Sequence, residues 1–197
     1  TVIGISLASA IIMMSGFQKG AIDYMIDVQY GISQKEDMIA IYTEPTSARA
    51  LYSLRSIPGI KYVEGFRIVP VKLRFEHRSY RTTINGIPPQ SKLMRLLDTE
   101  LNVVEIPPQG LVLTEYLAEQ LKIKPGEMIE VEILEGKRSV IQVPLIGTAK
   151  QYLGSNAYMR LSALNRVLKE GNATSGARLK VDKQSQQPIY AALKEIP

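Results

Sequence analysis

The stretch from Gly110 to Leu168 constrains the fold more than any other part of this chain, because its parts follow in a fixed order. A short apolar run, Leu111–Leu113, leads into a helix that opens at Thr114. Thr114 is placed to act as N-cap, and Leu117, Ala118 and Leu121 then share one helical face. Lys124-Pro-Gly-Glu is expected to stop that helix, since Pro removes a donor and Gly accepts positive φ. Ile129, Val131 and Ile133 alternate with Glu130 and Glu132 as a half-buried strand should. A second strand is expected across the turn at Glu135-Gly136-Lys137, and a second helix after Tyr158. Glu127, Glu130, Glu132 and Glu135 read as the wet face of a strand and its turn, not as paired catalytic carboxylates.

Ahead of that stretch, residues 1–17 carry no charge. They read as the outer end of a transmembrane helix, with Gly4, Ala8, Ser9 and Gly16 suited to packing against other membrane helices. A signal peptide would show a basic start, and a buried core helix would spare a polar face; neither pattern is present. Helical spacing continues through Ile22, Met25, Ile26 and Gln29, which makes residues 20–30 a stalk, or lever. Gly31 should end it, with Ser33–Glu36 as a polar link.

Met38–Tyr42 reads as a buried strand. A helix capped by Thr46 or Ser47 follows, carrying Ala50, Leu51, Leu54 and Ile57 on one face, and Pro58-Gly59 breaks it before a strand at Ile60–Phe66. From Val69 to Ile84 the alternation predicts two strands with a turn near His77-Arg78, closed by Asn85-Gly86 and Pro88-Pro89. Ser47–Ile60 and Gln187–Pro197 are alike: each holds a Tyr, a Leu and, three residues after the Leu, Ile-Pro. Each also follows a strand, Ile39–Tyr42 or Ala177–Val181. The pairing predicts an α+β class, with a split strand–helix–strand (ferredoxin-like) subdomain and an inserted, mostly β subdomain. The expected division is 1–36 for the membrane helix end and stalk, 37–87 plus 171–197 for the discontinuous subdomain, and 88–170 for the insertion.

The absence of Cys removes disulfides, thiolate metal sites and Cys nucleophiles, and a lone His77 argues against His-based metal or triad chemistry. No phosphate-cradling Gly-rich loop, Gly-x-Ser-x-Gly elbow or His-Glu-x-x-His helix is present. The chain is therefore expected to have no catalytic, cofactor or metal residues. Its net charge of +5 is mild. The most basic patch, Arg67, Lys72, Arg74, Arg78 and Arg81 with His77 and Tyr80, reads as a solvated hairpin face. A nucleic-acid or acidic-polymer surface is the alternative. Arg74, His77, Arg78 and Tyr80 are the candidate contacts for a protein partner. Tyr152 and Tyr158, around Gly154-Ser155-Asn156, read as turn packing.

Four segments together carry a family resemblance: Gly110-Leu-Val-Leu-Thr-Glu-Tyr-Leu-Ala118, Leu121-Lys-Ile-Lys-Pro-Gly-Glu127, Val143-Pro-Leu-Ile-Gly147, and Gly154 through Tyr158-Met-Arg-Leu161. With the Ile57–Ile60 helix-to-strand step and the leading apolar helix, the chain resembles the extracytoplasmic, MacB-like periplasmic core domain of FtsX-like ABC transporter permeases. The resemblance implies a non-enzymatic domain of a bacterial inner-membrane permease dimer, driven by a cytoplasmic ABC ATPase. It implies motion passed through the stalk to a domain that handles lipid, lipoprotein, peptide or drug outside the membrane. It further implies a periplasmic adaptor or lipoprotein as partner, and no nucleic acid.

Overall fold

The computed structural model describes residues 19–151 and 154–194. The membrane-helix expectation for residues 1–17 lies outside the described residues; among these, no helix is long and apolar enough to cross a membrane. Helix α1, residues 19–26, runs directly into a π-helical turn at Asp27–Ser33. The helical stretch thus passes Gly31, its expected end, and stops at Ser33.

Eight strands follow: β1 (Met38–Ser47), β2 (Ile60–Phe75), β3 (Arg78–Ile87), β4 (Leu111–Thr114), β5 (Met128–Ile133), β6 (Val140–Ala149), β7 (Ala157–Arg160) and β8 (Ala173–Val181). Helices α2 (Ala50–Arg55), α3 (Glu115–Leu121), α4 (Leu161–Leu168) and α5 (Gln186–Lys194) connect or flank them. The strand order is β1-β8-β2-β3-β7-β4-β6-β5, and β5 also pairs with β2. That last pairing closes β2, β3, β7, β4, β6 and β5 into a six-stranded mixed barrel, with β3–β7 and β4–β6 parallel. Closure removes the free edges that an open sheet would leave.

Strand β2 is the spine, about 50 Å long at 3.3 Å per residue. Its first half, Ile60–Phe66, pairs with β8, and its second half, from Arg67, pairs with β3. Residues 63–67 are all buried, since both faces of the strand are covered where it passes from one sheet to the other. The barrel core is built from alternating positions Val69, Val71 and Leu73 of β2 and Ile129, Val131 and Ile133 of β5. Leu117 and Leu121 of α3 and Leu164 of α4 join it, each worth about 1.5–3 kcal/mol of burial.

Beside the barrel, β1, β8 and β2 make a three-stranded antiparallel sheet with β8 in the middle. The strand–helix–strand unit β1-α2-β2 is therefore present, split by one strand. Leu54 of α2 and Ile189 of α5 cover one face of this sheet. The second unit is not completed: α5 is followed by no strand among the described residues, so the full ferredoxin-like arrangement is not observed. The fold is mixed α and β, as expected at that coarser level.

Several local expectations change. Met38–Tyr42 is only half-buried, because helices cover one face: Met38, Ala40 and Tyr42 pack inward while Ile39 and Ile41 point out, Ile41 74% exposed. Asn85-Gly86 lies within β3 instead of closing the hairpin, whose turn is at Glu76-His77. The hairpin supplies two barrel strands. Thr114 occupies the N-cap position of α3 but its hydroxyl makes no cap bond. Helix α3 ends at Lys122 in the left-handed conformation, before Pro125 is reached. Gly126, at φ 98°, forms the turn proper, its N–H donating to the Leu145 carbonyl at 2.7 Å.

Candidate functional site

The sequence pointed to two places, the stalk and the hairpin, and the structure adds a third between them. On α1, the expected stalk, Ile22 and Ile26 are exposed and Met25 is half-buried, so the helix presents an apolar stripe. Gln29 falls in the π-helical turn. The chain that follows is tied down on two sides without a flexible spacer. Toward the loop after β3, Lys35 N–H donates to Leu93 O at 2.7 Å, Arg95 N–H to Ser33 O at 2.9 Å, and the Ser33 hydroxyl to Arg95 O at 2.8 Å. Toward β8, Asp37 N–H donates to Leu179 O at 2.9 Å. Its carboxylate accepts from Val181 N–H at 2.9 Å and from Lys180 Nζ at 2.8 Å.

At the hairpin Lys72 and Arg81 are cross-strand partners with Arg74 two residues along the same face, but Arg67 leaves the expected basic patch. Arg67 is 1% exposed and points into the molecule. Its Nε and Nη2 donate to Glu170 at 3.1 and 3.0 Å, Nη2 also to Glu135, and Nη1 to Ser175 Oγ at 2.9 Å and Ile68 O at 3.0 Å. Burial acts to lower its pKa, but the bonds and charges of Glu170 and Glu135 outweigh that and raise it. This knot joins β2, the β5–β6 turn, the end of α4 and β8. Arg74 is spread over Glu132 at 2.6 Å and Glu130 at 3.9 Å, so those carboxylates are ion-pair partners on the outer barrel face. Arg78 lies 3.7 Å from Glu76, and His77 sits exposed at the tip. Tyr80 packs on the barrel core and meets Tyr116 edge to face at 6.4 Å. Of the four candidate contacts, His77 and Arg74 are the more open to solvent.

The third place is a cleft of about 230 Å³ over the helix-free face of the three-stranded sheet. Register puts Ile39 and Glu64 on either side of Arg178, and Ile41 and Phe66 on either side of Gly176. The linker residue Glu36, the loop around Met94 and the barrel residue Tyr158 also line it. Arg178 is 5% exposed, its guanidinium 4.3 Å over the Phe66 ring. Desolvation lowers its pKa, opposed by the charges of Glu36 and Glu64, yet an arginine remains cationic at physiological pH. Glu64 is committed elsewhere, accepting from Ser91 Oγ, from Lys92 N–H at 2.9 Å and from Leu93 N–H. Tyr158 is buried, its hydroxyl 2.9 Å from Gln151 Oε1; turn packing describes it only in part. Tyr152 lies outside the described residues. Among the described residues no group of three His, Asp or Glu could hold a metal ion.

No protein-family model matches the chain, and no curated protein does. Solved structures do. The extracellular domain of the noncanonic ABC-type transporter YknZ from Gram-positive bacteria is similar at a TM-score of 0.53 and 17% identity, over 75% of this chain and 80% of that one. The periplasmic region of MacB from Actinobacillus actinomycetemcomitans is similar at 0.52 and 15% identity, over 88% and 87%. The fold is thus shared with the extracellular domain of an ABC-type transporter and with the periplasmic region of MacB, in line with the sequence resemblance.

Proposed function

We propose that this chain is the extracytoplasmic domain of an ABC transporter permease, and that α1 works as its lever. A cytoplasmic ABC ATPase would supply the motion and a permease dimer in the bacterial inner membrane would carry it. The domain would act outside the membrane on lipid, lipoprotein, peptide or drug, with a periplasmic adaptor or lipoprotein as partner. The chain would have three parts, a stalk, the three-stranded sheet with its helices, and the barrel.

The observation that carries the reading is the double attachment of the linker. Because Ser33, Lys35 and Asp37 are bonded to both the β3–β4 loop and β8, a displacement of α1 moves both, with no slack to absorb it. From β8 the Ser175–Arg67 contact leads on to the barrel. A packed, hydrogen-bonded chain of this kind suits rigid-body motion better than graded deformation. The shared fold supports the same assignment.

The test is a Gly-Gly insertion after Ile26 in the full permease with its ATPase. ATP hydrolysis should continue while transport stops, and the isolated chain should keep its circular dichroism. Normal transport by that variant would contradict the lever.

A further inference from the structure

Three buried polar atoms without a hydrogen-bond partner belong to residues lining the cleft: Nε and Nη1 of Arg178, and Oε2 of Glu36. The Arg178 guanidinium carbon lies 4.3 Å over the Phe66 ring, a cation–π contact that offers the guanidinium no hydrogen-bond acceptor. Glu36 approaches Nε at 3.6 Å, which balances charge but is too long for a hydrogen bond. Glu64, the cross-strand neighbour, already holds three donors of the loop. Nε and Nη1 thus have counter-charges but no acceptor within hydrogen-bond distance, and Glu36 Oε2 is itself unpartnered beside them, a condition that an incoming oxyanion relieves on the cation. Arg95 lines the same cleft and adds a second positive charge.

The cleft also has an apolar side. Ile39 and Ile41 stand on the same sheet face as Arg178 and are 51% and 74% exposed. A buried cation with unpartnered donors next to an uncovered aliphatic ledge matches a ligand with an anionic end and a hydrocarbon body. We propose that this cleft binds an anionic amphiphile, its carboxylate or phosphate seated on Arg178 and its aliphatic chain laid over Ile39 and Ile41. This site does not depend on the transporter assignment, since it stands on the cleft alone.

Calorimetric titration of the 197-residue chain with octanoate and with octyl phosphate tests it, using octanol, acetate and inorganic phosphate as comparators. At least one octyl anion should bind about tenfold or more tightly than octanol and than its own short-chain counterpart. Preference for octanoate identifies a carboxylate ligand, and preference for octyl phosphate a phosphate one. Arg178→Gln should abolish binding. Because that variant could fail to fold, two milder ones accompany it. Ile41→Ser, at an exposed position, should weaken the octyl anion about three- to tenfold. Glu36→Gln should tighten it by removing a competing carboxylate. The proposal is overturned if neither octyl anion binds better than octanol, or if both milder variants leave affinity unchanged.

Discussion

Arg67 on β2 and Glu170, just beyond α4, share two charge-assisted hydrogen bonds of 3.1 and 3.0 Å across 103 residues of chain. With Glu135 and Ser175 they make the joint where the barrel meets the three-stranded sheet. Removing one member of a buried ion pair costs about 3–5 kcal/mol when the other charge is left dry. Here the carboxylate side chains are 27% and 31% exposed and regain water, so Arg67→Met should lose about 2–3 kcal/mol. Urea unfolding of the two proteins measures this; a loss below about 1 kcal/mol would show that the knot is not a structural joint.

Arg74, seven residues along the same strand, makes the contrast. It pairs with Glu132 and Glu130 on the wet face of the barrel, its side chain 45% exposed. Arg74→Ala should change stability by no more than about 0.5 kcal/mol, and added salt should erase the difference. A larger, salt-independent loss would mean the outer pair is organised more like the inner one.

The two arginines also show what was legible in the sequence. Period-two alternation put Val71, Leu73 and Phe75 on one side and Lys72, Arg74 and Glu76 on the other, and the barrel takes the first set inward. Arg67 has the parity of Val71, and the same rule carried back along the strand puts it inside, but its charge grouped it with the surface patch. Its partners come from three distant segments, and no local pattern announces them. Arg178 was hidden differently. Ala177, Leu179 and Val181 take the helix-covered face of β8 and put Arg178 on the side that a free-standing sheet would leave wet. Burial there comes from the linker at Glu36 and the loop around Met94, which lack periodicity. The helix-and-strand order of 110–168 was readable because α3, β5 and α4 are amphipathic and β4 is a short apolar run; barrel closure through β2–β5 was not, because pairing of remote strands leaves no local mark.

Gly176 tests how closely β1, β8 and Phe66 approach. A Cβ there would sit 2.9 Å from Phe66 Cζ, with the Ala40 carbonyl oxygen nearer still. The carbonyl belongs to backbone in the β1–β8 ladder and cannot swing away, so Gly176→Ala should cost about 2–3 kcal/mol through overpacking. Gly126→Ala gives a useful comparison: nothing crowds its Cβ, and only its φ of 98° is strained. If Gly176→Ala melts within about 1–2 °C of wild type, the size of a change of about 0.5 kcal/mol, the close approach is absent.

Tyr158 makes the stability depend on pH at the alkaline end. Burial raises its pKa above the usual 10.0, against the opposing pull of bonds to Asn156 and Gln151 and the charge of Arg178. The folded protein therefore keeps this proton to higher pH than the unfolded chain does. The stabilisation is complete below pH 10 and is lost as pH rises through the folded-state value. Tyr158→Phe should remove that loss and move the alkaline unfolding midpoint upward. At neutral pH the same change should cost about 0.5–1.5 kcal/mol for the hydroxyl's bond to Gln151. Tyr42 is also raised by burial, but its hydroxyl has no hydrogen-bond partner. Tyr42→Phe should therefore shift the alkaline midpoint in the same direction at little or no neutral-pH cost. Parallel stability curves for wild type and Tyr158→Phe from pH 9 to 12 would mean that the Tyr158 phenol is not held neutral by the fold.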